Sequence, residues 1–278
     1  MKVQEAYAEA MRVTRREARN FAWGIMVLPR PKRDAVAALY AFARRVDDIA
    51  DDGDLPVGER RGRLEACRSA LESLPHSPDG DAVLVALADA MVRYPIPKQA
   101  LRDLVAGGLM DAERTRYETW EELREYCRCV AGAVGLACTA VYGPQDPEAA
   151  PGYAVAMGLS LQQINIMRDV PEDWRLGRVY LPQDELVRFG VTEDDIADAR
   201  MGPGWHALMQ YQGARAQTLL EEGLRLLPLL DRRSALCVRA FAGIYRGLLL
   251  QMRARDYDVF SERPHLSALE KLRAVQSL

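Results

Sequence analysis

Two short acidic clusters, VDDIADD and RDVPEDW, contain the residues whose types and spacing point most clearly to chemistry. Each cluster places two aspartates four positions apart: Asp47 with Asp51, and Asp169 with Asp173. Side chains at i and i+4 of a helix lie about 5–6 Å apart, so paired carboxylates repel unless a cation lies between them. The spacing therefore predicts a counter-charge bound at each pair.

The first cluster falls at the end of a predicted helix that starts near Asp34. Carboxylates there face the negative end of the helix macrodipole, where cations are favoured. Hard oxygen ligands on a partly hydrated site suit Mg²⁺, which prefers one or two carboxylates together with substrate phosphates. The alternative is an exposed acidic helix end with incidental ion pairing.

Polar side chains form one line on each of the two helices that carry the clusters. On the second helix, Gln162, Asn165 and Asp169 share a face between apolar neighbours, so this line is expected to be partly buried. Buried polar groups need partners, which favours a ligand, an ion or ordered water beside them. The alternative is a hydrogen-bonded seam between helices.

Composition excludes several classes of function. The chain has 278 residues, 49% of them hydrophobic, and a net charge of −3, so a nucleic-acid partner has no electrostatic support. The N-terminus shows no signal-peptide pattern, and the five cysteines are expected to be reduced thiols in a cytoplasmic protein. The three histidines are isolated in sequence, which argues against a zinc site or a catalytic triad.

Periodicity and breakers predict helices along almost the whole chain, and hence a single all-α domain over residues 1–278. The predicted helices are 4–24, 33–52, 57–74, 80–93, 97–117, 119–141, 147–170, 204–227, 233–257 and 266–276. The one strand-like run is RVYLP at 178–182, which ends at a proline.

Three strings of this sequence closely resemble the squalene and phytoene synthase family of prenyl synthases: LYAFARRVDDIADD, YCRCVAGAVG and LQQINIMRDVPEDWRLGRVYLP. The resemblance runs from about Ala18 to Tyr245. It implies a helical bundle of the isoprenoid-synthase type around a central cavity, with the two aspartate motifs facing each other. It also implies a transferase that joins two prenyl diphosphates head to head.

The resemblance assigns roles to residues that match the family's motifs. Metal ligands would be Asp47, Asp51, Asp169 and Asp173, with Asp48, Gln162 and Asn165 in support. The expected cofactor is Mg²⁺, with Mn²⁺ as a substitute, and no G-x-G-x-x-G motif supports NADPH. Arg44, Arg168 and Arg178 would hold diphosphates, with Tyr180 also contacting substrate; the alternative for each arginine is an ion pair with a neighbouring aspartate.

Aromatic and small residues would serve the hydrocarbon part of the substrate. The aromatic rings of Phe21, Tyr40, Tyr126 and Tyr245 can stabilise a carbocation through their π faces. Ala131, Gly132 and Gly135 are expected to leave space for a prenyl tail, and the alternative for the glycines is close packing of helices.

Two features depart from the family pattern. Pro171 lies between Asp169 and Asp173, where it is expected to bias Val170 away from helix and to bring the carboxylates together through a turn. The segment before Phe21 lacks the Ser or His often seen there in relatives, which leaves part of the first diphosphate site unassigned.

The expected reaction converts two farnesyl diphosphates to presqualene diphosphate, and the alternative is phytoene synthesis from two geranylgeranyl diphosphates. A terpene cyclase and a non-catalytic helical relative are weaker readings, because both paired motifs are present. The protein is expected to be cytoplasmic, peripheral at the inner face of the cell membrane, and a monomer or weak homodimer.

Overall fold

The computed structural model describes residues 1–17, 24–76 and 80–277, and this part of the chain contains helices and no strand. The helices are α1 (Val3–Glu17), α2 (Arg30–Ala50), α3 (Val57–Ser73), α4 (Ala82–Arg93), α5 (Lys98–Glu113), α6 (Trp120–Cys127), α7 (Ala133–Tyr142), α8 (Ala150–Arg168), α9 (Val170–Arg175), α10 (Gln183–Phe189), α11 (Glu193–Ala197), α12 (Pro203–Leu224), α13 (Arg232–Ala254) and α14 (Ala268–Gln276). The predicted all-α class is confirmed.

Local sequence explains the ends of the two helices that flank the cavity. Helix α2 has a proline near its start and buries Val36, Leu39 and Phe42 on a helical stripe before it ends at Ala50, with Asp51 as its C-cap. Helix α13 begins at Arg232, and the carboxylate of its N-cap, Asp231, accepts hydrogen bonds from the backbone N–H groups of Arg233 and Ser234. The residues at these helix ends fix where the cavity-facing sides of α2 and α13 begin and end.

Two hydrophobic clusters form the core, and helices α8 and α13 contribute to both. The first cluster gathers α1 to α5, α7 and the C-terminal end of α12, and the second gathers α6, α10, the rest of α12 and the C-terminal half of α13. The two long helices therefore form shared walls, with the cavity between them and α2. The single-domain organisation stays a prediction.

A buried polar network holds α8 against α12 and α10. Gln163 donates a hydrogen bond of 2.8 Å to Gln212, which in turn donates to the carboxylate of Glu185. Arg215 pairs with the same carboxylate and stacks its guanidinium 4.2 Å from the ring centre of Trp120. Because Gln163 adjoins Gln162, the network fixes the rotation of the polar face of α8.

Three differences from the predicted helices are informative. The helix expected over 119–141 contains a π-helical turn, Arg128–Gly132, between α6 and α7. The strand-like run makes one isolated bridge, Arg116 with Val179, because no second strand lies beside it among the described residues. Helices α10 and α11 were not predicted, since segments of seven and five residues are too short to show a clear period.

Helix α13 is long and apolar enough to cross a membrane by length and composition alone. Its residues Cys237, Ile244 and Leu248 are buried within the two core clusters. We therefore interpret α13 as a core helix of the bundle.

Candidate active site

A polar chamber of about 320 Å³ lies where α2, α5, α8 and α9 converge. It is lined by Arg44, Asp47, Asp51, Asp111, Tyr126, Val130, Gln162, Asn165, Ile166, Arg168, Asp169, Asp173, Leu176, Arg178 and Tyr180. The four aspartates of the two motifs therefore share one chamber, as the resemblance implied.

An apolar chamber of about 220 Å³ adjoins the polar one. Its walls include Tyr40, Ala131, Val134, Gly135, Cys138, Tyr142, Ala154, Met157, Leu161, Leu226, Val238, Phe241 and Tyr245. Asp47, Val130, Gln162 and Asn165 line both chambers, so the two spaces meet at the first aspartate motif. Along α8 the apolar chamber runs from Asn165 back to Ala154, about 16 Å of helix.

The π-helical turn shapes the junction of the two chambers. It brings Val130 to the wall of both chambers and Ala131 to the wall of the apolar chamber, about one helical turn after Tyr126. A π-turn of this kind is frequent at functional sites because it re-aims side chains within a helix. The backbone of α8 lies against it so closely that a Cβ at Gly158 would sit 2.5 Å from the carbonyl oxygen of Ala131. Only glycine fits there.

The carboxylate of Asp47 lies deep in the bundle but faces the open chamber. Burial, and after it the charges of Asp51 and Asp111, together raise the pKa of Asp47 to about 7. Solvent or a cation can nevertheless reach it through the chamber. A bound cation would relieve the repulsion among these carboxylates.

The second motif reaches the chamber through a helix break, although not at the predicted residue. Helix α8 ends at Arg168, and Asp169 adopts φ −99° and ψ 12° before α9 begins at Val170. The expectation that Val170 leaves the helix is wrong, because Pro171 occupies the first turn of a new helix, where its missing N–H costs nothing. The backbone N–H of Asp173 still donates to the carbonyl of Asp169 at 2.9 Å.

The environment of Asp173 resembles that of Asp47. Burial and then the charge of Asp169 raise the pKa of Asp173 to about 8, although the charge of Arg178 opposes this shift. Both motifs thus present a carboxylate that is costly to ionise without a nearby cation.

Arginines at the chamber pair with the motif aspartates. The ion pairs are Arg44 with Asp48, Arg168 with Asp169, and Arg178 with Asp51, each at 2.6 Å. The alternative of a neighbouring ion pair is thus observed for all three. Arg44, Arg168 and Arg178 nevertheless line the chamber, where a diphosphate could compete for their donors.

Arg263 contacts the second aspartate motif, and sequence reasoning missed it. It lies in the segment between α13 and α14 and pairs with Asp169 at 2.8 Å. Its position 94 residues from Asp169 in sequence gives no local signal of this contact.

The donor set fits a hard divalent cation. Among the described residues, no three His, Cys, Asp or Glu side chains are close enough to hold an ion by themselves. A divalent cation held between the aspartates would therefore need water or phosphate oxygens to complete its shell. The amide oxygen of Asn165 is buried without a partner among the described residues, as a supporting ligand would be.

Asp111 of α5 is the other functional candidate that sequence reasoning missed. Its carboxylate accepts hydrogen bonds from the hydroxyls of Tyr126 at 2.7 Å and Tyr180 at 2.6 Å. Burial raises the pKa of Asp111, and these hydrogen bonds oppose the shift. A signal was available: Asp111 shares a helix face with buried Leu104 and Gly108, and a carboxylate on an apolar stripe needs a partner.

The other predicted residues divide between the chambers and the surrounding structure. Tyr40 and Tyr245 line the apolar chamber, whereas Phe21 lies outside the described residues. Asp48 points away, since it is not among the residues that line either chamber and its carboxylate is half exposed beside Arg44. Its role as a supporting ligand stays a prediction.

The expected role of the two glycines needs correction. Gly135 lines the apolar chamber, but a Cβ there would lie 2.6 Å from the backbone oxygen of Ala154. Gly132 is absent from the described lining of both chambers and faces Leu159 and Val155 of α8. Gly132 therefore serves close helix packing, and Gly135 combines that task with space at the chamber wall.

This helical bundle, with a polar chamber of aspartates and arginines beside an apolar chamber, has the all-α isoprenoid-synthase fold. A solved dehydrosqualene synthase superposes with a TM-score of 0.91 at 28% identity, covering 99% of this chain and 95% of that one. A squalene synthase, HpnC from Alicyclobacillus acidocaldarius, superposes with a TM-score of 0.85 at 29% identity. The match covers 92% of this chain and 96% of that one.

Sequence comparison narrows the class to a family. The model of the squalene/phytoene synthase family matches residues 14–270, so the chain belongs to that family. A phytoene synthase of Mycobacterium tuberculosis is 43% identical over 276 residues, 97% of this chain and 89% of that protein. A 15-cis-phytoene synthase of Synechococcus elongatus is 37% identical over 97% of this chain and 91% of that protein. The predicted prenyltransferase activity, head-to-head condensation of two prenyl diphosphates, is confirmed at this level.

Proposed function

We propose that this enzyme condenses two geranylgeranyl diphosphates to phytoene. The supporting relatives carry the name phytoene synthase and are 43% and 37% identical over nearly the full chain. Similarity to the dehydrosqualene and squalene synthases is lower, at 28% and 29% identity. The difference in identity favours phytoene synthesis from geranylgeranyl diphosphate over presqualene diphosphate synthesis from farnesyl diphosphate. The farnesyl reaction stays as the second candidate, because the dehydrosqualene and squalene synthases share the fold over almost their whole length.

The structural observation that carries the prenyl diphosphate chemistry, for either chain length, is the junction of the two chambers at Asp47. The polar chamber offers arginine donors for diphosphate, and the apolar chamber offers a path along α8 for hydrocarbon. A prenyl diphosphate placed across the junction has its C1–O bond at the boundary, beside Asp47, Gln162 and Asn165. The site thus holds the breaking bond where charge separates.

Ionisation of the allylic substrate breaks its C–O bond and leaves a carbocation and a diphosphate. Arg44, Arg168 and Arg178 would neutralise the departing diphosphate, each exchanging its present aspartate partner for phosphate oxygens. The rings of Tyr40 and Tyr245 would stabilise the cation in the apolar chamber and keep water away from it.

We propose Mg²⁺ as the divalent ion, held by Asp47, Asp51, Asp169 and Asp173 with Asn165 in support. When bound, it would supply the positive charge that lowers the barrier to diphosphate departure. Asp111 accepts the single hydroxyl proton of Tyr126 and of Tyr180, so it fixes both phenol rings at the wall of the polar chamber beside the proposed diphosphate position.

Product analysis tests the substrate. The purified enzyme with Mg²⁺ should be incubated with geranylgeranyl diphosphate and with farnesyl diphosphate separately, and the products identified by mass spectrometry. We expect phytoene, with the higher kcat/KM on geranylgeranyl diphosphate. Presqualene diphosphate from farnesyl diphosphate, with no turnover of the longer substrate, would establish the second candidate instead.

Location and assembly are further proposals. Because a long-chain substrate and a hydrocarbon product partition into lipid, we propose a cytoplasmic enzyme that contacts the inner face of the cell membrane peripherally. We propose a monomer or a weak homodimer. Membrane fractionation and light scattering of the purified enzyme test these two statements.

A further inference from the structure

The C-terminal helix α14 covers part of the outer face of α13. A Cβ at Gly243 would lie 2.7 Å from the backbone oxygen of Ala274, and one at Gly247 would lie 2.7 Å from the side chain of Leu266. These two glycines let α14 lie directly on the α13 backbone. Since Leu266 lies at Gly247 and Ala274 at Gly243, the chain returns along α13 in the antiparallel direction.

Exposed leucines surround this contact. Residues 236, 243 and 250 repeat every seven positions and so share one face of α13. Because α14 covers Gly243, Leu236 and Leu250 lie on either side of it. The exposed fractions are 42% for Leu236, 49% for Leu250, 69% for Leu269 and 51% for Leu272. The outer leucine face, defined as these four residues, therefore combines the two helices.

Helix α14 turns its larger apolar side chains outward. Ala274 and Val275 face α13, whereas Leu269 and Leu272, three positions apart, face solvent. A helix that had only to complete the bundle would bury its leucines and expose its small residues. Its present orientation leaves the larger apolar surface available to a partner.

Positive charge accompanies the outer leucine face. From Arg232 to the end, the chain has nine Lys and Arg against four Asp and Glu, although the whole chain has 37 against 40. Five cations on α13 and α14 form neither an ion pair nor a side-chain hydrogen bond among the described residues, unlike Arg246 and Arg253, which donate to neighbouring oxygens: Arg232, Arg233, Arg239, Lys271 and Arg273. Unpaired cations beside exposed leucines match the chemistry of an anionic lipid surface.

We propose that the outer leucine face docks this enzyme on anionic membrane lipid. The leucines would enter the interface between headgroups and acyl chains, and the five unpaired cations would contact lipid phosphates. Arg263, in the segment that joins α13 to α14, pairs with Asp169, which lines the polar chamber. Docking through these helices would therefore hold this side of the polar chamber close to the bilayer in which prenyl substrates dissolve.

A second copy of this chain is a weaker occupant of the same face. A two-fold interface places the same patch against itself, so the five cations would face five like charges. No acidic patch complementary to them lies on α14, whose one acidic residue, Glu270, accepts hydrogen bonds from Ser267 at its own N-terminus. Anionic lipid neutralises the same charges.

Vesicle co-sedimentation of the full chain tests the inference. The inference rests on the proposed use of lipid-dissolved substrate. Vesicle binding is measured without substrate, so a failure to bind vesicles can be told apart from a failure of the condensation reaction. The wild type should bind vesicles containing phosphatidylglycerol more tightly than pure phosphatidylcholine vesicles, and salt should weaken binding. Lys271→Gln/Arg273→Gln should lower the partition coefficient roughly 30-fold, on the basis of about fivefold for each cation.

Leu269→Ser/Leu272→Ser tests the apolar part and should also release the protein from vesicles. Val92→Ser/Val187→Ser is the matched control, because those valines are 71% and 80% exposed on other helices. All three variants should retain wild-type activity on detergent-dispersed substrate. Equal binding to neutral and anionic vesicles, or unchanged binding of both α14 variants, would overturn the inference. A dimer that dissociates in the leucine variant, without vesicle binding by the wild type, would assign the face to a second copy.

Discussion

The carboxylate of Asp111 accepts a hydrogen bond of 2.7 Å from the hydroxyl of Tyr126 at the wall of the polar chamber. The same carboxylate binds Tyr180, whose ring stacks on that of Tyr126 with centroids 5.3 Å apart. One buried acid therefore fixes two phenol rings at the wall beside the space where diphosphate is proposed to bind. Burial and then the charge of Asp111 keep the pKa of Tyr126 well above its ordinary value, so the phenol stays protonated.

We expect Asp111→Asn to lower kcat by on the order of 10- to 100-fold, since one amide oxygen cannot accept both hydroxyls with the same strength. The matched control is Asp103→Asn on the same helix. Asp103 is also largely buried, 15% exposed, but pairs with Arg128 outside the chamber. Asp103→Asn should lower the stability of the fold and leave kcat nearly unchanged. Steady-state kinetics measures kcat, and circular dichroism measures the stability of both variants. An equal loss of kcat in the two variants would contradict the positioning role of Asp111.

Asp47 and Asp48 are adjacent in sequence and give a matched pair for the metal site. We expect Asp47→Asn to lower kcat/KM by at least about 100-fold, because it removes charge from the junction of the chambers. Asp48→Asn breaks a half-exposed ion pair with Arg44 and should change kcat/KM about fivefold or less. Kinetics at several Mg²⁺ concentrations separate the two. Full activity of the wild type in excess chelator would exclude the proposed metal role.

Substrate length should respond to the far end of the apolar chamber. Val238 and Tyr142 lie on the chamber wall remote from Asp47, near the start of α13 and the end of α7. Val238→Phe adds volume to that space, so it should lower the ratio of kcat/KM for geranylgeranyl over farnesyl diphosphate by on the order of tenfold. Gly132→Ala, outside the chamber lining, should leave the ratio unchanged. Competition assays with both substrates measure it.

Gly135→Leu is a poor test of chain length, although Gly135 was expected to leave space for the prenyl tail. A Cβ at this position already meets the backbone of Ala154, so a larger side chain would force α7 and α8 apart before it reached the substrate. We expect this variant to lose about 1–3 kcal/mol of stability, which thermal unfolding would detect.

Stability at low pH should depend on Asp231, which caps α13 and binds Lys32 at 2.7 Å. Burial alone would raise the pKa of Asp231, but hydrogen bonds from Lys32 and Ser234 hold it well below its usual range. For an acid with a lowered folded pKa, the stabilising contribution is present above the unfolded pKa and is lost as pH falls through the folded pKa. Asp231→Ala should cost about 1 kcal/mol near pH 7.

That difference should shrink as the pH falls below about 4, the ordinary pKa of an aspartate. Urea unfolding of the wild type and the Asp231→Ala variant between pH 7 and pH 3 measures it. A difference that stays constant over this range would show that the ionised carboxylate contributes little.

Local pattern determined the long helices and the two aspartate pairs. Stripes such as Val36, Leu39 and Phe42 favour one helix face whatever the rest of the chain does, so the all-α class was predictable from sequence. The i, i+4 spacing of Asp47 and Asp51 likewise placed both carboxylates on one face without tertiary information.

Features that depend on contacts distant in sequence were decided only by tertiary structure. Asp111 meets Tyr180 across 69 residues, and Arg263 meets Asp169 across 94, so no local period could signal either contact. The same holds for Gly132, whose side of the helix is chosen by the approach of α8. A helical period specifies which residues share a face, but packing against other helices decides which face lines the cavity.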